Sequence, residues 1–276
     1  MSDQTKLLFT DIDGTLLRSD QTISDALAAD LSALAENGHG LILASGRPLG
    51  SMLKVYSYLE SRLSCPFKIA YCMANNGAQI HDLSTGKTVF EKRVPLPLVD
   101  KLQDLADSMQ IHLQTYTDTH IICSADDDET KSYRKRVILP VLITERLSSA
   151  LSVPPFKMLA LSLQGSEVLM PFRAAVSEQY ADYVHCIFSG AGYLEIVEQS
   201  VDKGNALRLI AEHLQIPISH TFAAGDSEND LSMILAAGCG FAMKNSSPNV
   251  RASVSHVTAR DHQEDGLSEV IRLILQ

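Results

Sequence analysis

Two carboxylates one residue apart, in Asp11-Ile12-Asp13-Gly14-Thr15, follow directly on the apolar run Leu7-Leu8-Phe9-Thr10. The run reads as a buried parallel strand, and acids at its C-terminal end lie where open α/β sheets bind ligands. Alternation along extended backbone sends Asp11 and Asp13 to one side and Ile12 to the other, and Gly14 lets the chain turn away. In such a pair one carboxylate can serve as nucleophile and metal ligand while the other trades a proton with a leaving group or water. The same letters also suit a plain turn after a strand, or the alternating aspartates of a calcium loop.

The elements that would hold this pair repeat a β-α-β pattern, which implies a parallel sheet with right-handed crossovers. Ser24 can cap a helix whose apolar positions Ala26, Leu27, Leu31, Leu34 and Ala35 run to a stop at Gly38. Gly40 to Ala44 forms a second strand, ending in Ser45-Gly46-Arg47, and Pro48 suits the first turn of the next helix. Lys68 to Ala74 forms a third, closed by the turn signal Asn75-Asn76-Gly77. From about Ile80 the texture becomes an α+β insert, with a hairpin across Ser84-Thr85-Gly86-Lys87 and short strands alternating with helices. The core is expected to resume near Tyr193 to Val197, with a helix from Lys203, a strand from His220 to Ala224, a helix from Asn229 and a last helix from Gly266. Residues 1–82 and 190–276 then form the core, and 83–189 the insert.

The 276 residues are 45% hydrophobic and 20% charged, which excludes a disordered or fibrous chain. A net charge of −10 argues against a broad nucleic-acid or acidic-membrane surface, so an anionic ligand needs a local positive site. The five cysteines form no CxxC pair and suit a reducing cytoplasm. No signal segment or membrane-length apolar run is visible. The run Asp126-Asp127-Asp128-Glu129, followed by Lys131, Arg134, Lys135 and Arg136, reads as a solvated helix with charges arranged as the macrodipole favours.

Four motifs, Asp11 to Thr15, Ser45 to Arg47, Lys203-Gly204 and Gly225-Asp226-Ser227-Glu228-Asn229-Asp230, each fall where a core strand ends or a core helix begins. In order and placement they resemble the haloacid dehalogenase superfamily, and the large insert after the third strand resembles its Cof-type sugar-phosphatase branch. That resemblance implies an α/β fold, a Rossmann-like parallel-sheet core with an inserted α+β cap of the C2 type. It implies attack by Asp11 on a phosphate monoester, forming an aspartyl phosphate, with Asp13 as general acid and then general base. Mg2+ would be held by the carboxylates of Asp11 and Asp226 and the main-chain carbonyl of Asp13. The phosphate would meet Ser45, the backbone N–H groups of Ile12 and Gly46, Lys203 and Asn229, while Asp230, Asn245 and Asn76 would support these groups. The family more often carries Thr at position 45 and Asn near His262. In isolation Ser45 reads as a helix cap, Lys203 as a solvated lysine and Asn76 as part of a turn.

The expected reaction is hydrolysis of a small phosphorylated metabolite, with no nucleic-acid or membrane partner. Two alternatives stay open: a phosphosugar mutase, which returns the phosphoryl group to a sugar, and a non-catalytic regulator that senses a phosphorylated ligand. Specificity is expected from the insert closing over the core, but its sequence carries no readable substrate motif, and the oligomeric state is equally silent.

Overall fold

The computed structural model describes residues 5–117, 119–135 and 139–276. The first strand, β1 (Leu7–Asp11), is buried along its whole length, as an unbroken apolar run demands of a central parallel strand. The chain continues through α1 (Asp25–Glu36), β2 (Gly40–Ala44), α2 (Leu49–Glu60), β3 (Ala70–Ala74), and a hairpin of β4 (Gln79–Asp82) and β5 (Lys87–Glu91). Ser24 caps α1 by accepting the Leu27 N–H at 2.9 Å. Pro48 stands just before α2 as its N-cap rather than inside its first turn.

The insert contributes α3 (Leu96–Ser108), β6 (His112–Tyr116), β7 (Ile121–Cys123), α4 (Asp128–Arg134), β8 (Val141–Ile143), β9 (Lys157–Leu161), α5 (Met170–Tyr180), β10 (Val184–Gly190) and β11 (Tyr193–Glu198). Its six strands form one sheet in the order β10-β11-β9-β6-β7-β8. A core of its own, with Leu102, Met158, Phe172, Leu194 and Ile196, covers one face. Within α4, Asp128 and Glu129 lead and Lys131 and Arg134 trail, and Asp127 caps the helix through the Thr130 N–H at 2.8 Å. Arg136, read with that basic run, lies outside the described residues.

The chain then adds α6 (Lys203–His213), β12 (Thr221–Gly225), α7 (Leu231–Ala236), β13 (Cys239–Ala242), α8 (Pro248–Ala252), β14 (His256–Val257) and α9 (Leu267–Ile274). The helix expected from Asn229 begins instead as a 3-10 turn, Glu228–Asp230, before α7. The core sheet runs β14-β13-β12-β1-β2-β3-β4-β5, parallel from β14 to β3 and antiparallel beyond. Alternation along β1 divides its packing. Leu8 joins Leu31 of α1, Met52 of α2 and Ile271 of α9 on one face, while Leu7 and Phe9 join Leu207 of α6 and Met233 of α7 on the other.

The compact units are Met1–Glu91 with Asp202–Gln276, and Lys92–Val201. The expected boundaries at 82/83 and 189/190 are therefore displaced. Lys87–Glu91 completes the core sheet as β5, and Tyr193–Val197, expected to resume the core, pairs antiparallel with β9 and β10 in the insert. The cause is physical: a strand buried between two neighbours has the same apolar texture in either kind of sheet, and only its partners tell them apart. No helix among the described residues is long and apolar enough to cross a membrane.

Candidate active site

β1 lies between β2 and β12, so the chain leaves its two flanking strands on opposite sides of the sheet, and the C-terminal edge opens a crevice there. Asp11 ends β1 level with Ala44, the last residue of β2, and Gly225, the last of β12, stands level with Ala242 of β13. The segments after these ends carry Asp13, Ser45, Asp226 and Asn245, and the turn after β3 carries Asn76. Parallel strands thus bring residues distant in sequence to one edge.

Lys203 opens α6, whose N-cap Asp202 accepts the Asn205 N–H at 2.8 Å. Gly204 allows close helix packing, because a Cβ there would stand 2.3 Å from the Ser232 carbonyl oxygen. The lysine side chain is fully buried, and its Nζ donates to Asp11 Oδ1 at 2.7 Å, Asp230 Oδ1 at 2.5 Å and the Ala44 carbonyl at 3.3 Å. Asp230 Oδ2 accepts the N–H groups of Asp226 at 3.0 Å and Ser227 at 2.9 Å, closing a capping box with Ser227. Both oxygens of Asp230 are therefore committed, one to the lysine and one to the loop that presents Asp226.

Carboxylate oxygens of Asp11, Asp226 and Asp230 all lie within 4.8 Å of one another. Burial raises the Asp226 pKa to about 7, the Asp230 charge adds to it and Lys203 opposes it. Burial and Asp230 likewise hold the Asp11 carboxyl well above the usual carboxylate range, against the pull of Lys203. For Lys203, burial disfavours the charge, but Asp11 and Asp230 outweigh it and hold the ammonium protonated. Two carboxylates thus contact the one buried ammonium, a third stands beside them, and Asp226 Oδ1 is buried with no hydrogen-bond partner among the described residues. An all-oxygen set with excess negative charge and an orphaned oxygen fits a hard divalent cation such as Mg2+. Asp11 and Asp226 keep coordinating capacity, whereas Asp230 does not. Gly14, at φ +82°, passes so close that a Cβ would meet Asp226 Oδ2 at 2.6 Å, which brings the Asp13–Gly14 backbone beside the same carboxylate.

A measurable consequence follows for stability. Because the folded-state Asp226 pKa is raised from 3.8 to about 7, the metal-free protein loses stability as pH rises through that interval, and Asp11 acts in the same direction. Mg2+ competes with the proton, so its thermal shift is expected to be larger at about pH 8 than at about pH 5. Asp226→Asn is expected to raise the metal-free melting temperature at the higher pH and to remove most of the Mg2+ shift. An unchanged Mg2+ shift in that variant would place the cation elsewhere.

The other expected residues fall as follows. Asp13 reaches the site from the turn after β1, not from the strand itself, and its half-exposed carboxylate accepts Arg47 Nε at 2.7 Å and Arg47 Nη2 at 2.5 Å. Ile12 is fully buried, and its carbonyl accepts the Leu17 N–H at 2.9 Å. Ser45, buried beyond β2 and followed by Gly46, accepts the Arg47 N–H at 3.2 Å through its hydroxyl, a local contact that leaves the hydroxyl proton to donate. Asn76 is fully buried at φ +59°, its N–H donates to the Ser45 carbonyl at 2.9 Å, and its Oδ1 accepts Asn229 Nδ2 at 3.0 Å. The two asparagines thus join the turn after β3 to the motif after β12. Asn245 Nδ2 donates to the Gly14 carbonyl at 2.8 Å and its Oδ1 accepts the His262 N–H at 3.2 Å. The His262 contact is made by its backbone N–H, and its side chain faces Ser19 and Gln263 instead. Sequence reasoning missed Arg47 as a partner of Asp13, although it adjoins Ser45-Gly46, and missed Gln21, for which the sequence offers no signal.

Comparison with known proteins finds similarity along nearly the whole chain. The family model of the haloacid dehalogenase-like hydrolases matches residues 8–271. The 5-amino-6-(5-phospho-D-ribitylamino)uracil phosphatase YitU of Bacillus subtilis is 26% identical, over 99% of this chain and 98% of its own. Among solved structures, a haloacid dehalogenase-like hydrolase from Bacteroides thetaiotaomicron superposes with a TM-score of 0.82 at 26% identity, covering 98% of this chain and 99% of that one. TM0651 from Thermotoga maritima gives 0.78 at 28% identity, covering 98% and 97%.

Proposed function

We propose, for a chain that belongs to the haloacid dehalogenase-like hydrolase family, that it is a Mg2+-dependent phosphatase of a small phosphorylated metabolite, a sugar phosphate or similar phosphomonoester. The observation that carries this reading is the buried Lys203–Asp11 contact of 2.7 Å beside the unpartnered Asp226 oxygen. It offers a nucleophilic carboxylate, a fixed cation and room for a second cation at one sheet edge. The YitU relative supports the substrate class, since its name describes action on a small phosphorylated metabolite.

Asp11 attacks phosphorus, forming a bond from its carboxylate oxygen as the bond to the ester oxygen breaks. Asp13 gives a proton to the departing alcohol, then takes one from the water that attacks the aspartyl phosphate and frees Asp11. Lys203, fixed by Asp230, neutralises charge at the nucleophile, and Ser45 donates its hydroxyl proton to the transferring group. When bound between Asp11, Asp226 and the Asp13 carbonyl, Mg2+ supplies the positive charge that lets an anionic nucleophile approach an anionic substrate.

The test is release of inorganic phosphate from sugar phosphates, nucleotides, flavin and pyridoxal phosphates, with and without Mg2+ and with no bisphosphate activator. Turnover that requires Mg2+ is the expected result. An obligatory bisphosphate with no free phosphate would make the protein a mutase, and no turnover on any substrate would make it a binder.

A further inference from the structure

We propose that Arg47 and Gln21 are positioning residues that hold the Asp13 carboxylate from two sides, an inference that rests on the phosphatase reading of Asp13. Arg47 presents its guanidinium edge-on, with Nε on Asp13 Oδ2 at 2.7 Å and Nη2 on Oδ1 at 2.5 Å. The same Nη2 donates to Gln21 Oε1 at 2.6 Å, and Gln21 Nε2 returns to Asp13 Oδ1 at 3.3 Å. The three side chains close a ring in which both oxygens of Asp13 have fixed partners. A planar guanidinium fork matches a carboxylate in one orientation only, so the pair sets a rotation as well as a distance.

The supports of the ring are themselves anchored. The Arg47 N–H is bound by Ser45 Oγ and its carbonyl accepts the Asn75 N–H at 2.9 Å, which ties the arm to the turns after β2 and β3. Gln21 sits at φ +64°, a conformation that costs a non-glycine residue on the order of 1 kcal/mol. The turn around it holds that conformation: the Gln21 N–H donates to the Arg18 carbonyl at 2.9 Å, and Asp20 Oδ1 accepts from the Thr22 hydroxyl at 2.6 Å. The glutamine is thereby aimed at Asp13.

Stability is a poor explanation of this ring. Asp13 keeps half its side chain exposed, and an ion pair in that setting contributes about 0–1 kcal/mol. Geometry is the better one, because a proton donor must stand within hydrogen-bond reach of the ester oxygen when the bond breaks. A carboxylate on an exposed turn would otherwise rotate freely.

The experiment compares Arg47→Ala and Gln21→Ala with the unsubstituted enzyme on two phosphomonoesters. One is an alkyl phosphate, whose leaving alcohol needs a proton. The other is p-nitrophenyl phosphate, whose leaving group departs without one, read as the pre-steady-state burst. Arg47→Ala is expected to lower kcat on the alkyl ester by about 10- to 100-fold and Gln21→Ala by a smaller factor, with the burst rate within about threefold. KM, inhibition by inorganic phosphate and the melting temperature are expected to stay within about threefold or a few degrees. Guanidinium ion is expected to restore part of the Arg47→Ala loss. Equal losses on both esters, weakened phosphate inhibition or an undiminished alkyl kcat would each overturn the proposal, the second by showing that Arg47 grips phosphate itself. Failure of the unsubstituted enzyme to cleave these esters or any phosphomonoester of the wider panel would instead overturn the phosphatase reading.

Discussion

Asp11→Asn is expected to lose on the order of 10⁴-fold or more in turnover while folding at least as stably as the unsubstituted protein. The two halves of this expectation have separate causes. An amide oxygen is too weak a nucleophile to displace an alcohol from phosphorus, so covalent transfer stops. Asparagine also removes one charge from a buried cluster in which burial and Asp230 already push the Asp11 carboxyl well above its usual range. Relieving that repulsion offsets the loss of the 2.7 Å contact with Lys203. Phosphate release and thermal unfolding of the same preparation give the test. A variant that unfolds easily would show that the Lys203–Asp11 contact stabilises the fold; one that retains turnover would remove Asp11 as nucleophile.

Lys203→Met has the largest expected effect on stability, about 3–5 kcal/mol, because it strands buried carboxylates without their counter-ion. Methionine fills similar space, so the loss reports charge more than volume. Lys203 is fully buried and reaches Asp11, Asp230 and the Ala44 carbonyl at once. The deficit is expected to shrink as pH falls and the carboxylates take up protons, and to shrink again with Asp230→Asn in the same chain. Denaturant unfolding of the single and double variants measures the coupling. Additive effects would show that the lysine and Asp230 act independently, against the geometry.

The residues at the sheet edge were legible in sequence because each motif interrupts an apolar run abruptly. Asp11 ends, and Ser45 and Asp226 follow, strands whose composition announces them, and Lys203 and Asp230 gain meaning only from their placement relative to those strands. Tyr193–Val197 misled for the converse reason, since its partners, not its letters, put it in the insert's sheet. Gln21 was beyond reach, and the letters of Asn75 and Asn76 announce a turn but not two consecutive left-handed residues. Their roles arise from turns whose conformation is set by distant hydrogen bonds, such as that between the Arg47 carbonyl and the Asn75 N–H. In the insert, the buried ion pair of Lys157 and Glu195 at 2.9 Å joins two strands that sequence alone could not align.

The doubly committed carboxylate of Asp230 imposes an asymmetry on how a lineage of such proteins can decay. Asp11 or Asp226 can be lost by a single substitution that silences chemistry yet relaxes the interior, so nothing in folding opposes that step. Lys203 and Asp230 cannot leave one at a time without a penalty large enough to deplete the folded chain. Descendants that have abandoned catalysis are therefore expected to carry a fossil: the lysine and its aspartate preserved beside a vanished nucleophile.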